Sequence, residues 1–199
     1  MSEFLTYLQL GFHHVASIGA LDHILFLGAL AAVYRPRDWR AGLWVVTAFT
    51  VGHSLTLALV VTRLVELPAG WIEFLIPVTI VLTCLANLAD RRVDGAPPDR
   101  RRALAAVLFG LVHGAGFAGY LRAMFLDSIA VPLVGFNIGI EAGQILVLTL
   151  VSGLLALGDR LLGIGAREGL AAGFQRRVAL VSGLAGVVAA GMALTRLPH

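Results

Sequence analysis

The chain has 199 residues, of which 58% are hydrophobic and only 14% are charged, and its formal net charge is +3. Ordinary soluble domains carry roughly 25% charged residues, so this composition excludes a soluble enzyme, a disordered chain and a nucleic-acid-binding protein. Long uncharged apolar stretches recur along the chain, and a membrane-spanning helix needs about 20 such residues. We therefore predict an all-α polytopic membrane protein whose first partner is the lipid bilayer.

Six spans are predicted, and together they form a single transmembrane domain over residues 1–199. The segment 4–12 precedes them; it is apolar but lacks the basic region of a signal peptide, so we expect it to remain in the mature chain. The predicted spans are about 14–34, 42–62, 71–89, 103–123, 132–157 and 178–195.

All fifteen basic residues are arginine, and their positions predict the orientation of the spans. Twelve lie in three connections on one side, whereas the other side has only Arg63, Arg122 and Arg196. The positive-inside rule places the twelve-arginine side in the cytoplasm, so with six spans both termini lie outside (N-out/C-out). The twelve are Arg35, Arg37, Arg40, Arg91, Arg92, Arg100, Arg101, Arg102, Arg160, Arg167, Arg176 and Arg177.

Ionisable side chains lie near the middle of four predicted spans, where they are costly and usually mark a site or a pathway. Asp22 and His23 lie at the middle of the first span and His53 at that of the second. His113 is central in the fourth span, and Glu141 is close to the centre of the fifth. A single buried histidine is more often a hydrogen-bonded core residue, but scattered structural residues would rarely share one depth. We therefore predict one site at the bilayer midplane.

The fifth span has a polar stripe, because Asn137, Glu141 and Gln144 follow helical spacing and fall within roughly 60° of one another. Three glycines repeat every four residues almost opposite this stripe, and such glycines let a neighbouring helix approach closely. We expect a helix to pack on the glycines and the polar stripe to face an interior cavity. The glycines are Gly135, Gly139 and Gly143.

Three further polar residues are candidates for a supporting role. Thr50 and Ser54 flank His53, and their hydroxyls either orient its imidazole or bond to helix carbonyls, which is their commoner role in membranes. Asn87 lies in the third span, nearer its cytoplasmic end.

His13 and His14 lie near the outer end of the first span. On one continuous helix His14 and His23 would point in opposite directions, because nine residues turn the chain by about 900°. They can share a site only if the helix breaks near Gly19. Without a break, the two outer histidines would capture an ion at the outer face or simply be exposed there. Both alternatives stay open, with His14 as a candidate ligand and His13 as a supporting residue.

Imidazole and carboxylate groups without thiolates suit borderline divalent ions such as Ni²⁺, Co²⁺, Zn²⁺ or Fe²⁺. Cys84 is the one cysteine and lies inside an apolar run, which excludes a thiolate cluster. A bound dication would offset the charge of several buried carboxylates, and protonation of the ligands would release it. The same groups could instead hold a catalytic zinc ion with an activated water, and the sequence does not separate these two interpretations.

Five motifs in spans one to five resemble the HupE/UreJ family of hydrogenase and urease accessory membrane proteins, regarded as nickel/cobalt permeases. The resemblance implies a multi-pass protein of the bacterial inner membrane that transports a metal ion, with Ni²⁺ preferred. The motifs are GFHH (11–14), DHILFL (22–27), TAFTVGHSLTL (47–57), FGLVHGAGFA (109–118) and GFNIGIEAGQ (135–144).

The leading hypothesis is thus a permease that carries a divalent transition metal as its substrate. One alternative is an intramembrane zinc hydrolase, and a second is a metal-binding accessory or assembly subunit that transports nothing. The sequence does not decide whether the protein forms a homo-oligomer. The candidate metal ligands are His14, Asp22, His23, His53, His113 and Glu141, supported by His13, Thr50, Ser54, Asn87, Asn137 and Gln144.

Overall fold

The computed structural model describes residues 2–90, 100–124, 129–161, 163 and 170–198. Over these residues the regular structure is entirely helical, without a β-strand, so the all-α prediction is confirmed for the described part of the chain. A short 3-10 helix at Pro36–Asp38 precedes the third α-helix. The α-helices are α1 (Glu3–Ala16), α2 (Leu21–Val33), α3 (Trp39–Val61), α4 (Ala69–Ala89), α5 (Arg100–Met124), α6 (Ala130–Leu161) and α7 (Leu170–Thr195).

The first predicted span, about 14–34, is interrupted by a break in the structure. The helix begins much earlier, at Glu3, and the chain leaves the helical conformation at Ser17, which has φ −75° and ψ 150°. A turn closed by the Ala20 N–H on the Ser17 carbonyl (3.0 Å) leads into α2, whose axis is bent by 65° from that of α1. Serine and Gly19 both have weak helix propensity, which explains why the apolar pattern continues while the helix does not.

The other helices extend beyond the predicted spans because those spans were delimited by charged residues. Arg100 begins α5 three residues before the predicted start at 103, and α6 continues through Arg160 to Leu161. Arginine is a good helix former, and its apolar stem lets the guanidinium reach water from a helix end. The predicted loop arginines Arg91, Arg92 and Arg167 lie outside the described residues.

Five helices, α3 to α7, are each long and apolar enough to cross a membrane. The bent pair of α1 and α2 adds a sixth crossing if it is counted as one broken span. Exposed leucines and valines cover the outside of these helices, as a hydrocarbon environment requires.

The helices α3 and α5 run parallel and approach so closely that their contact positions accept only glycine. A Cβ at Gly110 would collide with the Phe49 carbonyl oxygen, and one at Gly114 would collide with the backbone of His53. Gly52 makes the same close approach from α3 to the backbone of α5. The glycine-rich run of the fourth predicted span therefore fixes the position of the His53 backbone.

The helices α1 and α6 form a second parallel glycine contact, which confirms that a helix packs on the glycines of the fifth predicted span. A Cβ at Gly139 would overlap the Leu8 carbonyl oxygen, and Gly11 makes the reciprocal approach to the Phe136 carbonyl. The order of the contacts gives the parallel direction: Gly135 faces Phe4, Gly139 faces Leu8 and Gly143 faces Phe12.

Arg177, near the start of α7, joins the ends of two other helices. Its side chain is buried and donates hydrogen bonds to the carbonyls of Ala32 (3.1 Å) and Tyr34 (3.1 Å), which end α2. It also pairs with Asp159 near the end of α6 at 2.7 Å. The guanidinium thus satisfies helix-terminal carbonyls that would otherwise lack partners.

These contacts give each helix a direction. The end of α4 meets the start of α5 where Arg102 pairs with Asp90, and it meets α7 where Asn87 bonds to Ser182. Hence α2, α4 and α6 end at the same end of the bundle at which α3, α5 and α7 begin. We name this the arginine-rich end and the opposite one the arginine-poor end.

Candidate metal centre

The break between α1 and α2 brings two predicted ligands together. The ring centroids of His14 and His23 lie 4.7 Å apart, one on each side of the bend. This is the arrangement that the sequence allowed only for a helix broken near Gly19, and the break is present.

His53 from α3 completes a group of three imidazoles. One ring nitrogen from each of His14, His23 and His53 lies within 4.8 Å of the other two. Over the described residues, this is the one group of three or more histidine, cysteine, aspartate or glutamate side chains with that proximity. Three nitrogen ligands from three helices are a sufficient basis for a transition-metal site.

Asp22 orients the ring of His23. Its Oδ1 accepts a hydrogen bond from the backbone N–H of His23 (2.9 Å) and lies 3.1 Å from the ring Nδ1. A carboxylate only accepts, so this contact places the imidazole proton on Nδ1 and leaves a lone pair on Nε2. Carboxylates that hold a histidine in this way are common behind metal ligands.

Thr79 of α4 has the same effect on His113. The Thr79 hydroxyl donates its proton to the Ile76 carbonyl at 2.7 Å, so it must accept at its 3.1 Å contact with His113 Nε2. The proton of His113 is therefore on Nε2, and the lone pair is on Nδ1. His113 lies beside the group of three, with its ring centroid 5.4 Å from that of His23.

Four histidines present buried ring nitrogens without a hydrogen-bond partner among the described residues. Buried polar atoms are normally satisfied, so five such nitrogens close together are a set that could bind a metal ion. The atoms are His14 Nε2, His23 Nε2, both ring nitrogens of His53, and His113 Nδ1.

A cavity of about 390 Å³ gives access to three of these four histidines. Its walls carry His14, His23 and His113, and it extends to Glu73 near the start of α4 and Arg196 after α7. Both of these charged residues belong to the arginine-poor end. We name this space the outer cavity. The sequence prediction missed Glu73 because it lies near a helix start, where a charge is unremarkable.

His13, in contrast, is on the exposed side of α1, and its ring packs edge-on against Phe12 with centroids 5.9 Å apart. Adjacent residues on a helix point about 100° apart, so the seating of His14 in the group turns His13 away from it.

The polar residues of α6 form hydrogen bonds with threonines of α3. Thr47 donates to Glu141 Oε1 at 2.6 Å, and Thr50 donates to Gln144 Oε1 at 2.6 Å. Asn137 Oδ1 is buried and has no partner among the described residues. Glu141 is therefore seated against α3, and the structure does not bring it into the group of three histidines.

The two remaining supporting residues have different surroundings. Ser54 is half-buried next to His53 in the chain. Asn87 is fully engaged at the arginine-rich end, where its amide donates to the Ala29 carbonyl (2.8 Å) and accepts from Arg102 (3.1 Å). Asn87 is thus a joint between helices in this structure.

The substitution Glu141→Gln tests whether that carboxylate acts on the ion. The amide keeps the shape and still accepts a hydrogen bond from Thr47, so we expect an unchanged melting temperature. Because the negative charge is lost, we expect metal uptake to fall by about tenfold. Both quantities are measured on one preparation, with Thr47→Val as the control that removes only the hydrogen bond. A lower melting temperature with normal uptake per folded molecule would assign Glu141 to the scaffold instead.

The family comparison agrees with this geometry. The model of the family described as HupE / UreJ protein matches residues 1–195, which includes every helix and all four clustered histidines. Comparison with curated proteins and with solved structures gives no match. Because the match covers nearly the whole chain, the protein belongs to the HupE/UreJ family.

Proposed function

We propose that the protein is a permease for a divalent transition metal, with the clustered histidines as its binding site. The supporting observation is that ring nitrogens of His14, His23 and His53 lie within 4.8 Å of one another, beside a cavity that His14 and His23 line and that reaches the arginine-poor end. His113 Nδ1 is the natural fourth ligand, because its lone pair is also buried and without a partner among the described residues.

The ligand chemistry and the family together favour Ni²⁺ as the substrate, with Co²⁺ second. Neutral imidazoles are suitable ligands for Ni²⁺, Co²⁺, Zn²⁺ and Fe²⁺ alike. The family name associates the chain with hydrogenase and urease, and the maturation of these two enzymes requires nickel. Asp22, which lines the outer cavity, contributes negative charge beside the path of the ion, which lowers the cost of a dication inside the bilayer.

We further propose six spans with both termini outside, in the bacterial inner membrane. The alternating helix directions support six crossings if α1 and α2 count as one broken span. The positive-inside rule then places the arginine-rich end in the cytoplasm. In this orientation the outer cavity faces the periplasm, and the ion enters past Glu73 toward the histidines. The membrane potential, negative inside, would draw a dication in this direction.

A second candidate function is an intramembrane metal-dependent hydrolase. The observation in its favour is that three imidazoles leave the fourth position of a tetrahedral zinc ion free for a water molecule. A hydrolase would bind metal tightly and release product without net movement of the ion, so a transport assay separates the two candidates.

Purified protein in liposomes that contain a Ni²⁺-sensitive dye tests the permease directly. We expect saturable Ni²⁺ entry that increases when the interior is made negative. The triple variant His23→Ala, His53→Ala, His113→Ala should lose entry, and its bound nickel should fall by about tenfold or more. Full metal occupancy in the triple variant would show that the site is elsewhere. Full occupancy without entry in the wild type would favour the hydrolase or the accessory subunit.

A further inference from the structure

A second cavity, of about 450 Å³, lies toward the arginine-rich end of the same helices that line the outer cavity. Along α2, His23 lines the outer cavity and Phe26 lines the second one. Along α5, His113 lines the outer cavity and Phe109 the second. Along α4, Ile76 lines the outer cavity and Leu82 lines the second one. We name the second space the inner cavity; on α2 and α5 its lining begins about one helical turn from that of the outer cavity.

A stacked pair of aromatic rings lies between the histidines and the inner cavity. The centroids of Phe26 and Phe49 are 4.7 Å apart with an interplanar angle of 29°, and the residues are only 2% and 0% exposed. Phe49 lies directly against the metal centre, with its ring centroid 5.1 Å from that of His113. The two rings therefore separate an ion held by the histidines from the inner cavity.

The inner cavity has apolar walls and a polar end. Leu30, Val45 and Leu82 are among the wall residues, whereas Asp90 and Arg102 lie at the arginine-rich end. Arg102 pairs with Asp90 at 2.8 Å and joins the start of α5 to the end of α4 at that end. A carboxylate there is a suitable oxygen ligand for a dication that leaves the histidines.

We infer that the stacked rings of Phe26 and Phe49 are the barrier of the transport path, and that the inner cavity is its cytoplasmic half. The inference rests on the proposed permease function and adds the position at which the path is closed. Hydrophobic constrictions stop ions because neither water nor a hydrated dication is stable between apolar rings. Displacement of the Phe26 ring joins the two cavities without any movement of the histidine ligands.

Cysteine labelling tests the barrier without measuring transport. Thr83 lines the inner cavity and is half-buried, so the probe is Thr83→Cys in a Cys84→Ala background, which has no other thiol. The reagent is the charged, membrane-impermeant thiol reagent MTSET, applied from the arginine-poor side. We expect no labelling while Phe26 is present and a labelling rate about tenfold higher or more after Phe26→Ala.

Leu30→Ala is the matched control, because Leu30 lies one turn further along α2 and lines the same cavity without belonging to the ring stack. It should leave Thr83→Cys unlabelled from the arginine-poor side, whereas reagent from the arginine-rich side should label every variant. The milder change Phe26→Leu should give an intermediate rate if Phe26→Ala fails to fold. Bound nickel equal to that of the wild type shows that the histidine site is intact.

Labelling from the arginine-poor side with Phe26 in place would overturn the inference, because the cavities would already be joined. Unchanged protection in folded Phe26→Ala protein would also overturn it. Neither result depends on nickel entry into liposomes, so failure of the barrier and failure of the permease function are distinguishable.

Discussion

Replacement of His14 by alanine is expected to lower the affinity for Ni²⁺ by about tenfold or more, which corresponds to roughly 1.4 kcal/mol of binding free energy. The reason is geometric: the bend between α1 and α2 places a ring nitrogen of His14 within 4.8 Å of those of His23 and His53. Loss of one of three close ligands removes a coordinate bond and leaves the other lone pairs buried. Isothermal titration of the purified protein with Ni²⁺ measures the change.

The neighbouring residue supplies the control. His13 has the same side chain but lies on the exposed side of α1, so His13→Ala should leave the affinity within about twofold of the wild type. Equal losses in the two variants would contradict the broken-helix arrangement, since a continuous helix would make both histidines outer capture residues. A loss confined to His13 would contradict the seating of His14.

Gly110→Ala is expected to destabilise the protein by about 3 kcal/mol, at the upper end of the usual cost of overpacking. Its new methyl group would meet the Phe49 carbonyl oxygen, and a helix backbone cannot yield locally as a flexible side chain can. The two helices must separate, which also moves His53. In a chain of this size such a loss lowers the melting temperature by roughly 6–12 °C. Thermal unfolding in detergent gives the value.

The same substitution elsewhere on α5 isolates the packing effect. A Cβ at Gly119 would meet nothing within 4 Å in the described structure, so Gly119→Ala should be neutral or slightly stabilising through its better helix propensity. If both variants melted at the wild-type temperature, the close approach of α3 and α5 would be wrong. If both melted lower, the cause would be helix propensity or lipid contact rather than this interface.

Depth alone singled out His23, His53 and His113, because a bilayer makes every central ionisable group expensive, whereas His14 joins them only through the helix break. Depth did not single out their partners. Thr79 looks like an ordinary threonine in an apolar span, and only the packing of α4 on α5 shows that it fixes the proton of His113. Phe26, which we propose as part of the barrier, was equally unpredictable, since a phenylalanine in an apolar run has no distinguishing pattern.

The first span illustrates a different limit. Hydropathy measures whether a segment prefers lipid, and the stretch from α1 to α2 remains apolar through the bend. A break depends on the backbone hydrogen bonds of the helix. Ser17 and Gly19 are weak helix formers, so they allow a break without requiring one. The sequence could therefore state the condition under which His14 and His23 meet, but it could not decide whether the helix breaks.

Glu141 shows a third limit of the sequence prediction. The depth of a residue in the membrane does not tell which neighbouring helix its side chain will face. Its spacing with Gln144 correctly indicated a shared face opposite the glycines. That face meets the threonines of α3, and the carboxylate is held by Thr47 at 2.6 Å.

The parallel pairing of α1 with α6 also constrains how the protein is made. The helix that carries His14 packs on Gly139 and Gly143, so its partner leaves the ribosome more than a hundred residues later. During synthesis α1 must wait at the membrane surface or in the insertion machinery while the intervening helices enter the bilayer. The group of three histidines is consequently completed late, because a truncated chain that ends before α6 would lack the surface that seats His14.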